Sequence, residues 1–226
     1  MVCIRYRQRV RKMDLSKKAM QIVSILDKTY PDAPATYLNY KSPFEMLIVT
    51  ILSARATDAG VNKISPTLFK KYPTPEKLAK VNLDEIGQII RPLGAYNKKA
   101  GYITGTSRLL VEKFDGKVPN TLKELISFPG VSRKTANVVL SVVFGISEGI
   151  VLDTHVMRVT LRLGLSEHEN KPEKIEKDMM ELLPNKFWSD YARLIGAHGR
   201  QTCKSRRPNC TSCTLNKLCP SAELGK

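Results

Sequence analysis

The sequence lacks three features that would place it in other classes of protein. No apolar run approaches the ~18 residues that a membrane-spanning helix needs, which argues against an integral membrane protein. Residues 1–12 are basic and have no apolar centre of the kind found in secretory signals, so we expect an intracellular protein. Sustained alternation of polar and apolar residues is also absent, and apolar residues recur instead at helical spacing. We therefore expect a soluble, all-helical protein with no membrane partner.

Acidic residues are scarce relative to basic ones. The chain has 37 Lys and Arg against 21 Asp and Glu, which gives a formal charge of +16. Such an excess favours a polyanionic partner, because basic side chains neutralise phosphates and release counterions. Charge alone does not distinguish nucleic acid from a membrane surface. Part of the excess lies in a basic arm, residues 1–13, which is a phosphate-binding arm, a targeting sequence or a misassigned start.

Cysteine is nearly confined to one end of the chain. Apart from Cys3, the cysteines lie in one short segment: Cys203, Cys210, Cys213 and Cys219. This clustering in an intracellular chain indicates a metal site rather than disulfides, because cytosolic thiols are kept reduced. Structural zinc sites usually contain two Cys-x-x-Cys pairs, whereas only one occurs here. The spacing of six, two and five intervening residues therefore favours a [4Fe-4S] cluster, with zinc as the alternative.

Three basic residues lie between the first two of these cysteines: Lys204, Arg206 and Arg207. A metal site would order this segment and present the three side chains as a basic finger toward a phosphate backbone. The alternative is that the charges only keep the loop solvated.

Several helix starts are marked by local sequence. Residues 16–30 carry one apolar stripe and predict the first helix. Residues 42–45, Ser-Pro-Phe-Glu, combine a capping box with proline at the first helical position. Residues 46–52 are apolar all round, which predicts a buried central helix. Further starts are predicted at Thr74, Asn82 and Thr121.

Residues 125–143 predict a short helix, a tight hairpin and a second, strongly apolar helix. The hairpin is Phe-Pro-Gly-Val-Ser at 128–132, and Arg-Lys-Thr-Ala at 133–136 opens the second helix. Exposed N–H groups at such a helix start can bind a phosphate without reading base sequence. The alternative is an ordinary corner between helices. The candidate phosphate-binding residues are Gly130, Ser132, Arg133 and Thr135.

Three motifs together resemble the endonuclease III family. They are the hairpin and helix start at 128–139, Val-Leu-Asp-Thr-His-Val at 151–156, and the spacing of the four cysteines. They occur in the order in which that family has them. Shorter matches occur upstream at 38–45, 52–58 and 94–97, so that the resemblance covers roughly residues 36–219.

The resemblance implies an all-α fold of two helical domains with a DNA-binding cleft between them. Residues 36–146 would form a six-helix domain that contains the helix-hairpin-helix motif at about 121–144. Residues 14–35 and 147–226 would form a discontinuous iron-sulfur cluster domain, with the cluster loop at 203–219. Lys134 and Asp153 would then face each other across the cleft.

The resemblance also implies a base-excision repair activity on duplex DNA that contains damaged bases or abasic sites. Lys134 would attack the sugar, expel an oxidised pyrimidine and form a Schiff base that permits β-elimination. Its amine must be neutral to attack, and burial with Arg133 nearby is expected to favour that form. Asp153 would assist, although an N-cap is the alternative role for an aspartate at a helix start. We expect a cytoplasmic, nucleoid-associated prokaryotic monomer with a [4Fe-4S] cluster held by the four cysteines.

The sequence departs from the family pattern at three positions. Arg55 stands where a glutamine usually fills the gap left by the flipped nucleotide, and Ala95 stands where a leucine usually wedges into the duplex. Arginine can stack on bases and donate hydrogen bonds, whereas alanine should wedge less effectively. Ser132 replaces a customary glycine, which indicates a backbone that accepts a side chain or a hydroxyl that contacts phosphate.

Three other functions compete with this interpretation. A monofunctional glycosylase for mismatched thymine, uracil or adenine would share the hairpin and the cluster, but those relatives generally lack the residue that matches Lys134. A DNA-binding protein without catalytic activity would have no need of both Lys134 and Asp153. A zinc-containing transcription regulator is disfavoured because no base-reading helix is evident.

Overall fold

A computed structural model of the protein describes the backbone of residues 2–222 and the side chains of residues 13–222. Every regular element in this part of the chain is a helix, so the all-helical prediction is confirmed. Within the same residues no helix is both long and apolar enough to cross a membrane. The chain separates into two compact units, Met1–Ala35 with Gly149–Lys226, and Thr36–Glu148. Their interpretation as a cluster domain and a six-helix domain stays a prediction.

The first helix, α1, runs over Val2–Thr29. The prediction that it begins near Ser16 is wrong for the backbone, whereas the basic arm at residues 1–13 stays a prediction. No proline or glycine interrupts this stretch, and its Lys, Arg and Gln residues favour a helix without needing an apolar stripe. The side chains of residues 1–12 lie outside the described residues. The predicted stripe itself is buried, and its core members are Ala19, Ile22, Val23 and Leu26.

The unit Thr36–Glu148 is built around one central helix. Its helices are α2 (Pro43–Leu52), α3 (Asp58–Lys71), α4 (Pro75–Ala79), α5 (Leu83–Ile90), α6 (Tyr96–Phe114), α7 (Leu122–Leu125) and α8 (Arg133–Val139), and a π-helical turn, Leu140–Phe144, continues α8. Every residue from 46 to 52 is buried, which confirms the prediction of a central helix. The one polar side chain among them, Thr50, donates its hydroxyl to the carbonyl of Met46 at 2.7 Å.

The predicted helix starts in this unit are confirmed, and side chains cap most of them. The Ser42 hydroxyl accepts the N–H of Glu45 at 3.2 Å, and the Glu45 carboxylate accepts the N–H of Lys41. Thr121 caps α7 in the same way, and the Asn82 side chain caps α5. Thr74 precedes α4 without a side-chain cap. These starts depend on contacts within four residues, which is why a single sequence reveals them.

The unit that contains both chain ends is formed by α1, α9 (Thr154–Arg162), α10 (Pro172–Leu182) and α11 (Trp188–Gln201). Tyr191 of α11 is fully buried, and its hydroxyl is hydrogen-bonded to Thr160 of α9 at 2.7 Å. The cysteine segment follows α11 and contains only one short 3₁₀ turn, Asn216–Leu218. Little regular structure therefore supports this segment.

Candidate functional site

The hairpin between α7 and α8 is fixed by packing against α6. Gly130 has φ 75°, in the left-handed region, and a Cβ at this position would lie 2.7 Å from ring atoms of Tyr102. Glycine is therefore required by both the backbone and the neighbouring ring. The hydroxyl of Thr106 donates to the carbonyl of Pro129 at 3.1 Å, and Phe128 is buried beneath the turn. The turn is consequently held in place by the protein alone.

Ser132 is the N-cap of α8. Its φ of −80° is extended backbone that any residue adopts, so a glycine is not needed here. The hydroxyl accepts the N–H of Thr135 at 3.2 Å and is also 3.1 Å from the Thr135 hydroxyl. The side chain thus caps the helix. The remaining N–H groups of the first turn include those of Arg133 and Lys134.

Lys134 lies in the first turn of α8 with an exposed side chain. The expected burial of this side chain is not found in the protein alone. The reason is local, because the first turn of a helix that follows a surface hairpin projects its side chains outward. The neighbouring Arg133 is also exposed and donates to the carbonyl of Glu148 at 3.4 Å.

Asp153 is the N-cap of α9, as the sequence predicts. One carboxylate oxygen, Oδ1, accepts the N–H of Val156 at 2.7 Å, and the other, Oδ2, accepts an N–H of Arg200 at 3.0 Å. Both oxygens are engaged, so the carboxylate has one orientation and its charge is stabilised by the guanidinium. No local pattern in the sequence marks Arg200, because it is one of many basic residues and lies 47 positions from its partner.

Strained backbone marks three of the predicted DNA-contact positions. Arg55 has φ 53°, Ala95 has φ 45° and Arg207 has φ 51°, although none of these residue types favours the left-handed region. Each such residue costs about 1–2 kcal/mol. Asp115 and Asn170 also have positive φ, but aspartate and asparagine tolerate it. Strain of this kind concentrates at functional sites.

A buried lysine supports the turn that precedes Ala95. Lys99 is only 5% exposed, and its ammonium group donates to the carbonyl of Leu93 at 2.9 Å. Burial lowers the pKa of Lys99. The contact joins α6 to the 3₁₀ turn Arg91–Leu93 and thereby fixes the backbone that leads to Ala95. No pattern in the sequence separates this lysine from the exposed ones.

The four cysteines predicted as ligands line one cavity, together with Arg162 and His198. Burial raises the pKa of Cys213 and of Cys219, so their thiolates need a strong positive charge nearby. Among the described residues, no three His, Cys, Asp or Glu side chains are spaced to share a single metal ion. Zinc requires all four sulfurs within ~2.3 Å of one centre. The four thiols around this cavity are soft donors of the kind that iron-sulfur clusters and zinc sites use.

Arginines of α9 hold the cysteine segment. Arg158 donates to the carbonyls of Gly199 at 2.8 Å and Cys203 at 2.9 Å. Arg162 donates to the sulfur of Cys203 at 3.3 Å, and also to the carbonyls of Lys204 at 2.8 Å and Ser205 at 3.0 Å. The predicted finger residues that follow Cys203 are exposed: Lys204, Arg206 and Arg207. Their backbone is therefore anchored while their charges face solvent.

Comparison with known proteins identifies the family. Residues 48–185, more than half of the chain, match the family model described as HhH-GPD superfamily base excision DNA repair protein. Endonuclease III of Synechocystis sp. is 46% identical over 215 residues, which cover 95% of this chain and 97% of that protein.

Two solved structures share the fold. One is a non-covalent endonuclease III–DNA complex and the other is a trapped endonuclease III–DNA covalent intermediate in an estranged-adenine complex. Each is 40% identical to this chain and has a TM-score of 0.87. Each match covers 92% of this chain and 97% of the solved chain. The chain therefore belongs to the endonuclease III family of the HhH-GPD superfamily and is a base-excision DNA repair enzyme, a DNA glycosylase and abasic-site lyase.

Proposed function

We propose that the protein removes oxidised pyrimidines from duplex DNA and cleaves the abasic strand through a Schiff base on Lys134. The observation that carries the proposal is the exposed lysine in the first turn of α8, directly after a preformed hairpin. The match to a covalently trapped endonuclease III–DNA intermediate supports a reaction that passes through an enzyme–DNA bond. Retention of Asp153 at a capped helix start supports the same chemistry.

In the proposed reaction, the neutral amine of Lys134 attacks C1′ of the damaged nucleotide. The glycosidic bond breaks and its electron pair leaves with the base, which takes up a proton. The amine loses its protons as the sugar ring opens, and a Schiff base forms between Nζ and C1′. Removal of a proton from C2′ then expels the 3′ phosphate oxygen, and hydrolysis of the imine releases Lys134.

The lysine must lose its charge for this reaction, although its side chain is exposed in the protein alone. Substrate binding would supply the missing burial, because a nucleotide over the first turn of α8 excludes water from the amine. Asp153 would accept a proton and stabilise the positive charge that develops on the sugar. Arg200 would keep that carboxylate in position.

The DNA backbone would be held by the hairpin. We assign phosphate binding to the backbone N–H groups that follow Gly130 and to Arg133, with Ser132 and Thr135 acting through the cap that shapes the turn. Arg55 would occupy the gap left by the flipped nucleotide, and the strained backbone at Arg55 and Ala95 is consistent with contact positions. Lys204, Arg206 and Arg207 would bind phosphates as a basic finger.

The cofactor would be a [4Fe-4S] cluster held by the four cysteines: Cys203, Cys210, Cys213 and Cys219. When bound, it supplies iron–thiolate bonds that order the cysteine segment, and the residues of the reaction lie elsewhere. The protein would act as a monomer on damaged duplex DNA of the nucleoid. The charge of +16 and the bacterial relatives support this assignment.

Borohydride trapping tests the proposal. Wild type should form a covalent adduct on duplexes with an abasic site or an oxidised pyrimidine, and Lys134→Ala should reduce adduct and strand cleavage to the level of buffer alone. Asp153→Asn should slow base release by about 10²–10⁴-fold. Lys123→Ala is the matched control, because Lys123 is also exposed and lies on α7.

The outcomes separate the candidate functions. Base release without an adduct would indicate a monofunctional glycosylase for mismatched bases. Binding of the duplex without base release or adduct would indicate a DNA-binding protein without catalytic activity.

A further inference from the structure

A buried histidine joins the cysteine cavity to the end of α1. His198 of α11 is 2% exposed, and its Nε2 lies 3.6 Å from the sulfur of Cys213. On the other side of the ring, Nδ1 lies 3.0 Å from the hydroxyl of Tyr30. The same hydroxyl lies 2.8 Å from the hydroxyl of Thr202. The proposed reaction uses none of these three residues.

The direction of these hydrogen bonds follows from counting protons. A thiolate bound to iron can only accept, so His198 must donate from Nε2 to the sulfur of Cys213. The ring is buried, and a neutral imidazole carries one N–H, which is then on Nε2. Nδ1 therefore accepts from the Tyr30 hydroxyl. The Tyr30 hydroxyl thereby donates its only proton, so its oxygen accepts a hydrogen bond from the hydroxyl of Thr202.

We propose that His198 is a positioning residue for the cluster ligand Cys213 and that the relay from Thr202 through Tyr30 to His198 tunes the reduction potential of the cluster. This inference rests on the proposed [4Fe-4S] cofactor. Hydrogen bonds to ligand sulfurs stabilise their negative charge and thereby favour the reduced cluster. Cys213 receives a second donor, the N–H of Leu215 at 3.4 Å. Loss of the histidine donor should therefore shift the reduction potential, while Cys213 keeps the donor from Leu215 and remains a ligand of the cluster.

Tyr30 selects the tautomer of His198, because its hydroxyl donates to Nδ1. With its hydroxyl removed, the ring proton can sit on either nitrogen, and the donor to Cys213 is present only part of the time. Tyr30→Phe should consequently have the same sign of effect as removal of the histidine donor, but a smaller size. A purely space-filling role for His198 predicts no effect from Tyr30→Phe, since the ring stays in place.

The test is voltammetry of the iron-loaded protein, in which the electrode supplies the electron. His198→Asn places its amide near Nδ1 and leaves the sulfur without this donor, so its potential should shift to more negative values. His198→Gln extends its amide nitrogen toward the position of Nε2 and should recover most of the wild-type potential. Tyr30→Phe should fall between them. His168→Asn is the control, because His168 lies outside the cavity and pairs with Asp178.

The inference is overturned if His198→Asn has the wild-type potential, or if the asparagine and glutamine variants shift equally. If His198→Asn does not load iron, Tyr30→Phe decides, and an unchanged potential in that variant rejects the relay. Iron analysis and borohydride trapping of wild type test the proposed function separately. Wild type without iron would reject the cofactor and this inference together, whereas a loaded, trappable enzyme with unchanged potentials would reject only the relay.

Discussion

The helix-hairpin-helix segment, residues 121–144, and the cysteine loop, residues 203–219, are held together in different ways. The first has a core of buried apolar side chains, namely Leu125, Phe128, Val131, Ala136, Val139 and Leu140. The second has one such side chain, Leu215. Its other supports are polar, chiefly the arginines of α9 that donate to its carbonyls and to the sulfur of Cys203.

This difference shows that the two segments are ordered by different interactions. The hairpin is ordered by burial of apolar area, which needs no ligand. The cysteine loop has little apolar burial to offset the entropy of ordering its backbone, and in the proposed function metal–thiolate bonds would supply the difference. Binding of phosphate at the hairpin should therefore be independent of iron, whereas the basic finger should depend on it.

Removal of iron by oxidation and chelation should produce the largest difference between the two segments. We expect amide hydrogen exchange in residues 203–219 to accelerate by at least about a hundredfold, because structural metal binding contributes several kcal/mol of folding free energy. Exchange in residues 121–144 should stay unchanged. Mass spectrometry of the two segments provides the measurement. Equal acceleration in both would show that the hairpin also depends on the cluster.

Gly130→Ala should weaken the hairpin more than a matched substitution elsewhere. The new Cβ meets left-handed strain and the ring of Tyr102, so we expect a loss of ~2–5 kcal/mol. Gly145→Ala is the control, because Gly145 has φ 67° with no atom within 4 Å of a Cβ and should cost only ~1–2 kcal/mol. Thermal unfolding measures both, at about 2–4 °C per kcal/mol. Equal losses would mean that Tyr102 moves aside freely.

Substitution of Ser132 should have the smallest effect. Ser132→Ala removes the cap of α8 and should lower the free energy of unfolding by ~1 kcal/mol. Ser132→Gly should lower it by only about 0.3 kcal/mol. Thermal unfolding again provides the measurement. A glycine variant as unstable as the alanine variant would show that the serine hydroxyl has a role beyond the cap.

The parts of the structure that a single sequence reveals are those set by near neighbours. The caps at Ser42, Thr121 and Asp153 each join residues three positions apart, so their residue types and spacing are visible in the chain. The start of α1 was missed because a polar helix needs no apolar stripe. The strain at Arg55 and Ala95 was also missed, since both residue types normally avoid positive φ.

The site was predicted unevenly for the same reason. The spacing of the cysteines indicates a shared ligand set, and the structure places all four around one cavity. The side chains that support the site come from distant positions: Arg200 reaches Asp153, and Tyr30 reaches His198 across 168 positions. Such pairs arise from helix packing, and the sequence contains no local signal for them.

The cap at Ser132 also bears on how hairpins of this kind are recognised in genomes. Serine and glycine are both good N-caps, and the extended backbone at this position accepts either, so exchange between them over evolution meets little resistance. Gly130 has no such freedom. A search pattern that requires glycine at the positions of both Gly130 and Ser132 would miss this protein. A pattern that requires glycine only at the position of Gly130 would find it.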